Sequence, residues 1–133
     1  MVDKIVEFLL NIFKSKDYDF IMHNCIITDD KLNVINDSFF KWRKAKVGIL
    51  RNIIRTSYGG SLMVFKRKCL EKMLPFPEKM PYYFDEFVGM IATKYYKVLF
   101  LDEKLSYWRR HEGSQSSGFS TDAKQNFLKR NWF

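Results

Sequence analysis

The sequence predicts an α/β domain in which helices flank an at least partly parallel sheet. Segments with helical apolar spacing alternate along the chain with segments rich in β-branched and aromatic residues, and this alternation is typical of α/β folds. The chain has 133 residues, of which 47% are hydrophobic and 17% aromatic. That is enough apolar material for one domain with a buried core.

The first predicted element is an amphipathic helix. Its apolar residues Ile5, Phe8, Leu9 and Ile12 fall at i, i+3, i+4 and i+7, and Asp3 is placed to cap the first turn. We expect this helix to cover one face of the sheet. The segment is too short and too charged for a membrane span, and its acids do not suit a signal peptide, so we expect a cytoplasmic protein.

A strand and a hairpin-like return are predicted next. Residues 18–28 read YDFIMHNCIIT, which is rich in β-branched and aromatic residues, and the polar turn DDKLN leads into VIND. Cys25 in this strand and Cys69 further on lie in apolar runs without CxxC spacing. We therefore expect two buried, reduced thiols.

Residues 44–55 predict a second helix with an apolar stripe. The apolar stripe consists of Val47, Leu50, Ile53 and Ile54. Four cations lie off the stripe: Lys44, Lys46, Arg51 and Arg55. The cations favour a solvated basic face, with a phosphate-binding surface as the alternative. Gly59 and Gly60 then precede a predicted strand, SLMVF, and permit either a plain turn or the close approach of a ligand.

The last strong helix prediction covers residues 83–96, and KVLFL after it predicts a short strand. Asp85 and Glu86 lie in the first turn of this helix, where an acid is either a helix-start signal or a working group. A Gly/Ser-rich loop follows LSYWRRH, and TDAKQNFLKRNWF at the end is a possible further helix.

The net charge of +8 favours anionic partners such as nucleic acid, an acidic membrane or a phosphorylated small molecule. No recognised nucleic-acid motif is present, so we expect no nucleic-acid partner. The chain also lacks GxGxxG, GxxxxGK[ST] and an early strand that ends in acidic residues. The elements that usually bind the phosphates of a nucleotide are therefore missing.

Two long stretches carry a resemblance to a known family. SYGGSLMVFKRKCLEKMLPFP (57–77) and YFDEFVGMIATKYYKVLFLDEKLSYWRRH (83–111) resemble the C-terminal half of bacterial family 2 glycosyltransferases of the GT-A fold, in particular the rhamnosyltransferase-like enzymes of surface polysaccharide synthesis. The resemblance extends over about residues 2–117. It implies a partial GT-A, Rossmann-like fold in residues 1–118, a mixed sheet with flanking helices that lacks the N-terminal nucleotide-binding half, followed by a tail, 119–133.

In that family the N-terminal half binds the nucleotide-sugar, and an Asp-X-Asp motif holds Mn²⁺ or Mg²⁺ on the diphosphate. This chain begins just after the point where the motif would stand, and Asp29-Asp30 lies in a turn further on. The resemblance thus implies the acceptor-side half of an enzyme that transfers a sugar to a glycan or lipid-linked acceptor. By itself it would be inactive and without a bound metal. We expect a partner with the donor half, or self-association, and peripheral contact with the inner membrane. The alternative is a non-catalytic remnant or a sugar- or polyphosphate-binding module.

The resemblance also implies roles for individual residues. Asp85 falls at the position where the family has its general base. The family carries a His before this Asp and an aromatic residue after it, whereas this chain has Phe84 and Glu86, so Glu86 is the alternative base. If Asp85 points into the cleft, Glu86, about 100° further round the helix, should point away from it. The other implied roles are acceptor binding by Gly59, Gly60 and Ser61, diphosphate binding by Arg109 and Arg110, and metal binding by His111. A strand-end His with an ordinary hydrogen bond is the other interpretation of His111.

Overall fold

The computed structural model of the chain describes residues 2–80 and 83–111. The helices are α1 (Val2–Ser15), α2 (Phe39–Arg43), α3 (Ile49–Ile54), α4 (Leu70–Met73) and α5 (Phe84–Tyr95), with single 3₁₀ turns at Gly60–Leu62 and Arg67–Cys69. The strands are β1 (Phe20–Thr28), β2 (Val34–Asn36), β3 (Met63–Phe65) and β4 (Val98–Arg109). The polar loop and the tail 119–133, with its possible helix, lie outside the described residues.

The sheet is built around β1. Strand β4 runs parallel to it over its whole length. On the opposite edge, β3 pairs antiparallel with the beginning of β1 and β2 pairs antiparallel with its end. The predicted α/β class with a partly parallel, mixed sheet and flanking helices is confirmed.

The two faces of β1 enter two different apolar clusters, because successive side chains of a strand point to opposite faces. Ile21 packs under α1 against Leu9 and Ile12, so α1 covers one face as expected. On the other face, Phe20 and Met22 belong to the larger core that α2, α4 and α5 help to cover. Both cysteines are buried and free, which confirms that prediction.

The last strand differs from its prediction. We expected a short strand at residues 97–101, whereas β4 continues to Arg109. The polar residues in its second half join the sheet because the parallel partner β1 extends to Thr28 and supplies hydrogen-bonding groups along that length. The register shifts near Asn24, where β4 contains extra residues.

The helix predicted at 44–55 is only six residues long. It is also rotated about its axis relative to the prediction, so that part of the expected apolar stripe faces solvent and not the core. The amide side chain of Asn52 is buried, where Nδ2 donates to the carbonyl oxygens of Gly48 (2.7 Å) and Lys46 (3.0 Å). Its Oδ1 accepts from the backbone N–H of Ser57 at 2.6 Å. These bonds place a polar side of α3 inward, and Leu50 and Ile54 of the predicted stripe face outward. Elsewhere, α5 and β3 lie within the predicted segments.

Within residues 2–80 and 83–111, the longest helix has 14 residues, and none has the length and apolar character needed to cross a bilayer.

Candidate functional site

Helix α2, which we did not predict, is fixed by a buried asparagine of β1. Asn24 Nδ2 donates to Ser38 Oγ (2.8 Å) and to Asp102 Oδ1 (2.5 Å), while its Oδ1 accepts from the backbone N–H of Phe40 (3.1 Å). Ser38 caps the helix, since its hydroxyl oxygen accepts from the N–H of Lys41 at 3.2 Å. Asn24 therefore joins α2, the centre of the sheet and the irregular part of β4.

Three aromatic rings meet where α2 passes the end of β4. The ring centroids of Phe39, Trp42 and Trp108 lie 5.8 to 6.0 Å from one another, with tilted and edge-to-face contacts. The guanidinium of Arg110 lies 5.6 Å from the centre of the Trp108 ring and 6.0 Å from that of Trp42. A cation at this distance from two indoles is in favourable cation–π contact.

The Gly59–Gly60 segment connects this aromatic group to the predicted base. A Cβ atom at Gly59 would lie 3.5 Å from Cζ of Phe39, and one at Gly60 would lie 3.7 Å from Cβ of Asp85. Ser61 follows in the 3₁₀ turn and is exposed. Gly59 and Gly60, two of the three residues assigned to acceptor binding, therefore lie between Phe39 and Asp85.

Asp85 lies in the first turn of α5 and is partly buried. Burial raises the pKa of its carboxyl, while hydrogen bonds from the backbone of Glu86 and Gly60 and the charge of Arg43 oppose part of this shift. The Glu86 N–H donates to Oδ1 at 2.9 Å. Asp85 is thus a desolvated carboxylate that is held in one orientation.

Glu86, expected to point away from the cleft if Asp85 points into it, lies in the core. Its side chain is 1% exposed, so it is buried more deeply than that of Asp85. Arg43 of α2 is buried to the same degree, lies over Trp42 at 5.4 Å and acts electrostatically on Asp85. Two fully buried charged side chains therefore lie on the elements that carry the aromatic rings and Asp85.

The three basic residues at the end of β4 are separated by strand alternation. Arg110 lies on the same side as Trp108, and its N–H continues the sheet by donating to Thr28 O at 2.8 Å. Arg109 follows the other face, where Tyr107 is also exposed. Of the two arginines, Arg110 thus contacts the aromatic rings and Arg109 lies on the other face. His111 follows Arg110 in the chain and is exposed.

In the described part of the chain, no three His, Cys, Asp or Glu side chains come together in a way that could hold a metal ion. The assignment of His111 to a metal stays a prediction that needs ligands from elsewhere.

The candidate site as a whole is named the α2 site. It consists of Phe39, Trp42, Arg43, Gly59, Gly60, Asp85, Trp108 and Arg110. The three α2 residues were not predicted from the sequence, because a five-residue helix has too few turns to show a periodicity. The signal that the sequence does contain is the cluster FFKWR (39–43), in which three aromatic residues and two cations stand together.

The α2 site combines an ionisable carboxylate, flat apolar ring surfaces and a cation. Such a combination can bind a polyhydroxylated molecule, whose C–H faces pack on aromatic rings, and can take a proton from one of its hydroxyls. No family model, no curated protein and no solved structure matches the chain.

Proposed function

We propose that this chain is the acceptor-side half of a glycosyltransferase, which transfers a sugar from a nucleotide-sugar to a glycan or lipid-linked acceptor of a surface polysaccharide. The observation that carries this proposal is Asp85, whose pKa is raised by burial beside the Gly59–Gly60 segment. The resemblance of residues 57–77 and 83–111 to family 2 enzymes supports it.

In the proposed reaction, an acceptor hydroxyl attacks the anomeric carbon of the donor sugar. A C–O bond forms there as the bond from that carbon to the diphosphate breaks, and the hydroxyl proton moves to a carboxylate oxygen of Asp85. A carboxylate with a raised pKa is a stronger base than an ordinary aspartate, and a positioned base contributes about 10²- to 10⁴-fold in rate. The backbone hydrogen bonds of Glu86 and Gly60 keep the carboxylate in place.

The remaining residues of the α2 site fit the binding of an acceptor sugar. Trp42 and Trp108 are partly exposed and pack against Phe39, which lies beside Gly59. The absence of side chains at Gly59 and Gly60 lets a ligand approach the backbone there. Arg110 adds a cation that can face the donor diphosphate or an acceptor phosphate. Mn²⁺ or Mg²⁺ and the nucleotide would be held by a donor half, supplied by another polypeptide or a longer form of the chain.

The second candidate is a sugar- or polyphosphate-binding module without catalysis. The cation–π group of Arg110, Trp42 and Trp108 favours it, since such a group needs no metal and no second half to bind an anionic saccharide. The two candidates share a ligand surface and differ in the role of Asp85.

The experiment uses the isolated chain and two panels of ligands. In amide and indole NMR spectra, simple methyl glycosides at millimolar concentration should shift the signals of Gly59, Gly60 and the indoles of Trp42 and Trp108. The Gly48 amide, in the linker before α3, is the internal control and should stay in place. Calorimetry with Mn²⁺ and a panel of nucleotide-sugars should show no micromolar binding. Micromolar donor binding would overturn the assignment to a partial enzyme, and unshifted α2-site signals would overturn sugar binding.

A further inference from the structure

The exposed side of α3 is an apolar stripe that no described residue covers. Leu50 is 80% exposed, Ile54 54% and Val47, just before the helix, 48%. These residues lie at i, i+3 and i+7, so they share one side of the segment. A contiguous apolar side on a helix surface is typical of an interaction site.

This orientation is built into the segment rather than left open to rotation. Asn52 is buried and anchored by the three hydrogen bonds to residues 46, 48 and 57 described above. Arg51 also bonds back to the backbone of the segment, with Nη1 and Nη2 donating to the carbonyl oxygens of Arg55 (3.1 Å) and Lys44 (3.0 Å). Turning the apolar stripe inward would break this set, so its exposure is the stable arrangement.

The surroundings of the stripe are cationic. Residues 44–55 contain four Lys and Arg residues, Lys44, Lys46, Arg51 and Arg55, and no Asp or Glu. The side chains of Lys44 and Lys46 are exposed at the beginning of the stripe. The segment that exposes Leu50 and Ile54 therefore carries cations and no acidic residue.

Two other groups of exposed apolar residues, on β2 and on α1, do not share this setting. Val34 and Ile35 of β2 are 61% and 58% exposed, but Asp29, Asp30 and Asp37 flank that hairpin. The exposed apolar residues of α1 alternate with Asp3 and Glu7. Of these three groups of described residues, the stripe on α3 combines apolar exposure with neighbouring cations and no acid in its segment.

We propose that residues 44–54 dock this protein on an anionic lipid bilayer. Val47, Leu50 and Ile54 would enter the boundary between headgroups and acyl chains, and Lys44 and Lys46 would meet the lipid phosphates. Short amphipathic segments with cations beside an apolar side bind bilayers in this way, through apolar burial and attraction to anionic headgroups. The inference does not depend on the α2 site having the proposed function.

The test is flotation of the full chain with vesicles of neutral phosphatidylcholine and with vesicles that also contain about 30% phosphatidylglycerol. We expect binding to the anionic vesicles, weaker binding to the neutral ones and release by high salt. Equal binding to both kinds, or to neither, would overturn the proposal.

Matched double variants locate the surface. Leu50→Ser with Ile54→Ser, and Lys44→Gln with Lys46→Gln, should each weaken binding by about tenfold or more. The control, Val34→Ser with Ile35→Ser, removes two apolar side chains that are also more than half exposed and should leave binding unchanged. Circular dichroism and thermal unfolding establish that each variant is folded. If the β2 pair weakens binding and the α3 pair does not, the surface is wrongly assigned. A dimer in sedimentation velocity that the α3 pair converts to monomer would overturn the proposal in favour of a second copy of the chain.

Discussion

The ring of Tyr58 lies so close to the backbone of Gly89 that a Cβ atom at position 89 would fall 2.2 Å from it. The Tyr58 hydroxyl is hydrogen-bonded to that of Thr93, which in turn donates to the Gly89 carbonyl at 2.9 Å. Tyr58 immediately precedes the Gly59–Gly60 segment, and Gly89 lies one turn after Asp85. This contact therefore fixes the distance between two parts of the α2 site.

Gly89→Ala should destabilise the protein, because the new methyl group has no space and the ring is fully buried. We expect a loss of about 1–3 kcal/mol in the free energy of unfolding, although alanine is the better helix former. Urea unfolding measures it. Gly60→Ala is the control, since its Cβ would make an ordinary contact, and its change should stay within about 0.5 kcal/mol. Equal stability of Gly89→Ala and the wild type would contradict the contact.

Asn24→Ala should cost more than the removal of an exposed asparagine. The substitution removes the side-chain bonds to Ser38, Asp102, Phe40 N and Cys25 N from a buried position. We expect a loss of about 2–4 kcal/mol. Asn33→Ala removes a surface bond to Asp29 and should cost below about 1 kcal/mol. A similar cost for both would show that Asn24 does not hold α2 in place.

Asp19 should make stability depend on pH. Burial alone would raise the pKa of its carboxyl, but hydrogen bonds from Lys68 and from Lys97 N, with the charges of Lys68 and Lys66, lower it below the ordinary 3.8. A carboxyl whose pKa is lowered in the folded state stabilises the protein at any pH above its pKa in the unfolded chain. This contribution disappears as the pH falls through its pKa in the folded protein.

Asp19→Asn should therefore destabilise the protein at pH 7, by about 1–3 kcal/mol, and the difference from the wild type should shrink below pH 4. Chemical unfolding over a pH series measures both effects. Asp17→Asn breaks a pair with Lys97 at the surface and should cause a smaller loss that salt screens. A difference for Asp19→Asn that does not change with pH would contradict the charge network.

Asp85→Asn should separate activity from stability. In a protein completed with a donor-binding half, it should lower transfer by about 10²-fold or more, because the proton acceptor is lost while the shape is kept. Since the pKa of Asp85 is raised in the folded state, its ionised form costs stability at neutral pH, so the substitution should leave stability at pH 7 equal or higher. This sign is opposite to that for Asp19→Asn.

Glu86→Gln is the paired control. At 1% exposure, Glu86 is too deep for an acceptor hydroxyl to reach directly, so its substitution should affect unfolding more than transfer. Full transfer by Asp85→Asn, or a greater loss of transfer with Glu86→Gln at unchanged stability, would show that the wrong acid is assigned.

The sequence by itself determined the elements whose pattern is local and long enough to read. Helices α1 and α5 repeat their apolar residues over three turns or more, and β1 is rich in apolar and β-branched residues, so each appears where it was predicted. The positions of Asp85 and of the Gly59–Gly60 step also follow from local signals, an acid in a first helical turn and a turn before a strand.

Only the tertiary structure decided which side of α3 faces the core, how far β4 extends and what surrounds Asp85. The orientation of α3 depends on the bonds of Asn52 to residues 46, 48 and 57, and β4 continues because β1 offers a parallel partner up to Thr28. Asp85 meets Gly60 and Arg43 from two other segments. Apolar periodicity is a property of neighbours along the chain, whereas hydrogen bonds, burial and charge at a site come from residues that the fold brings together, and these decided the site.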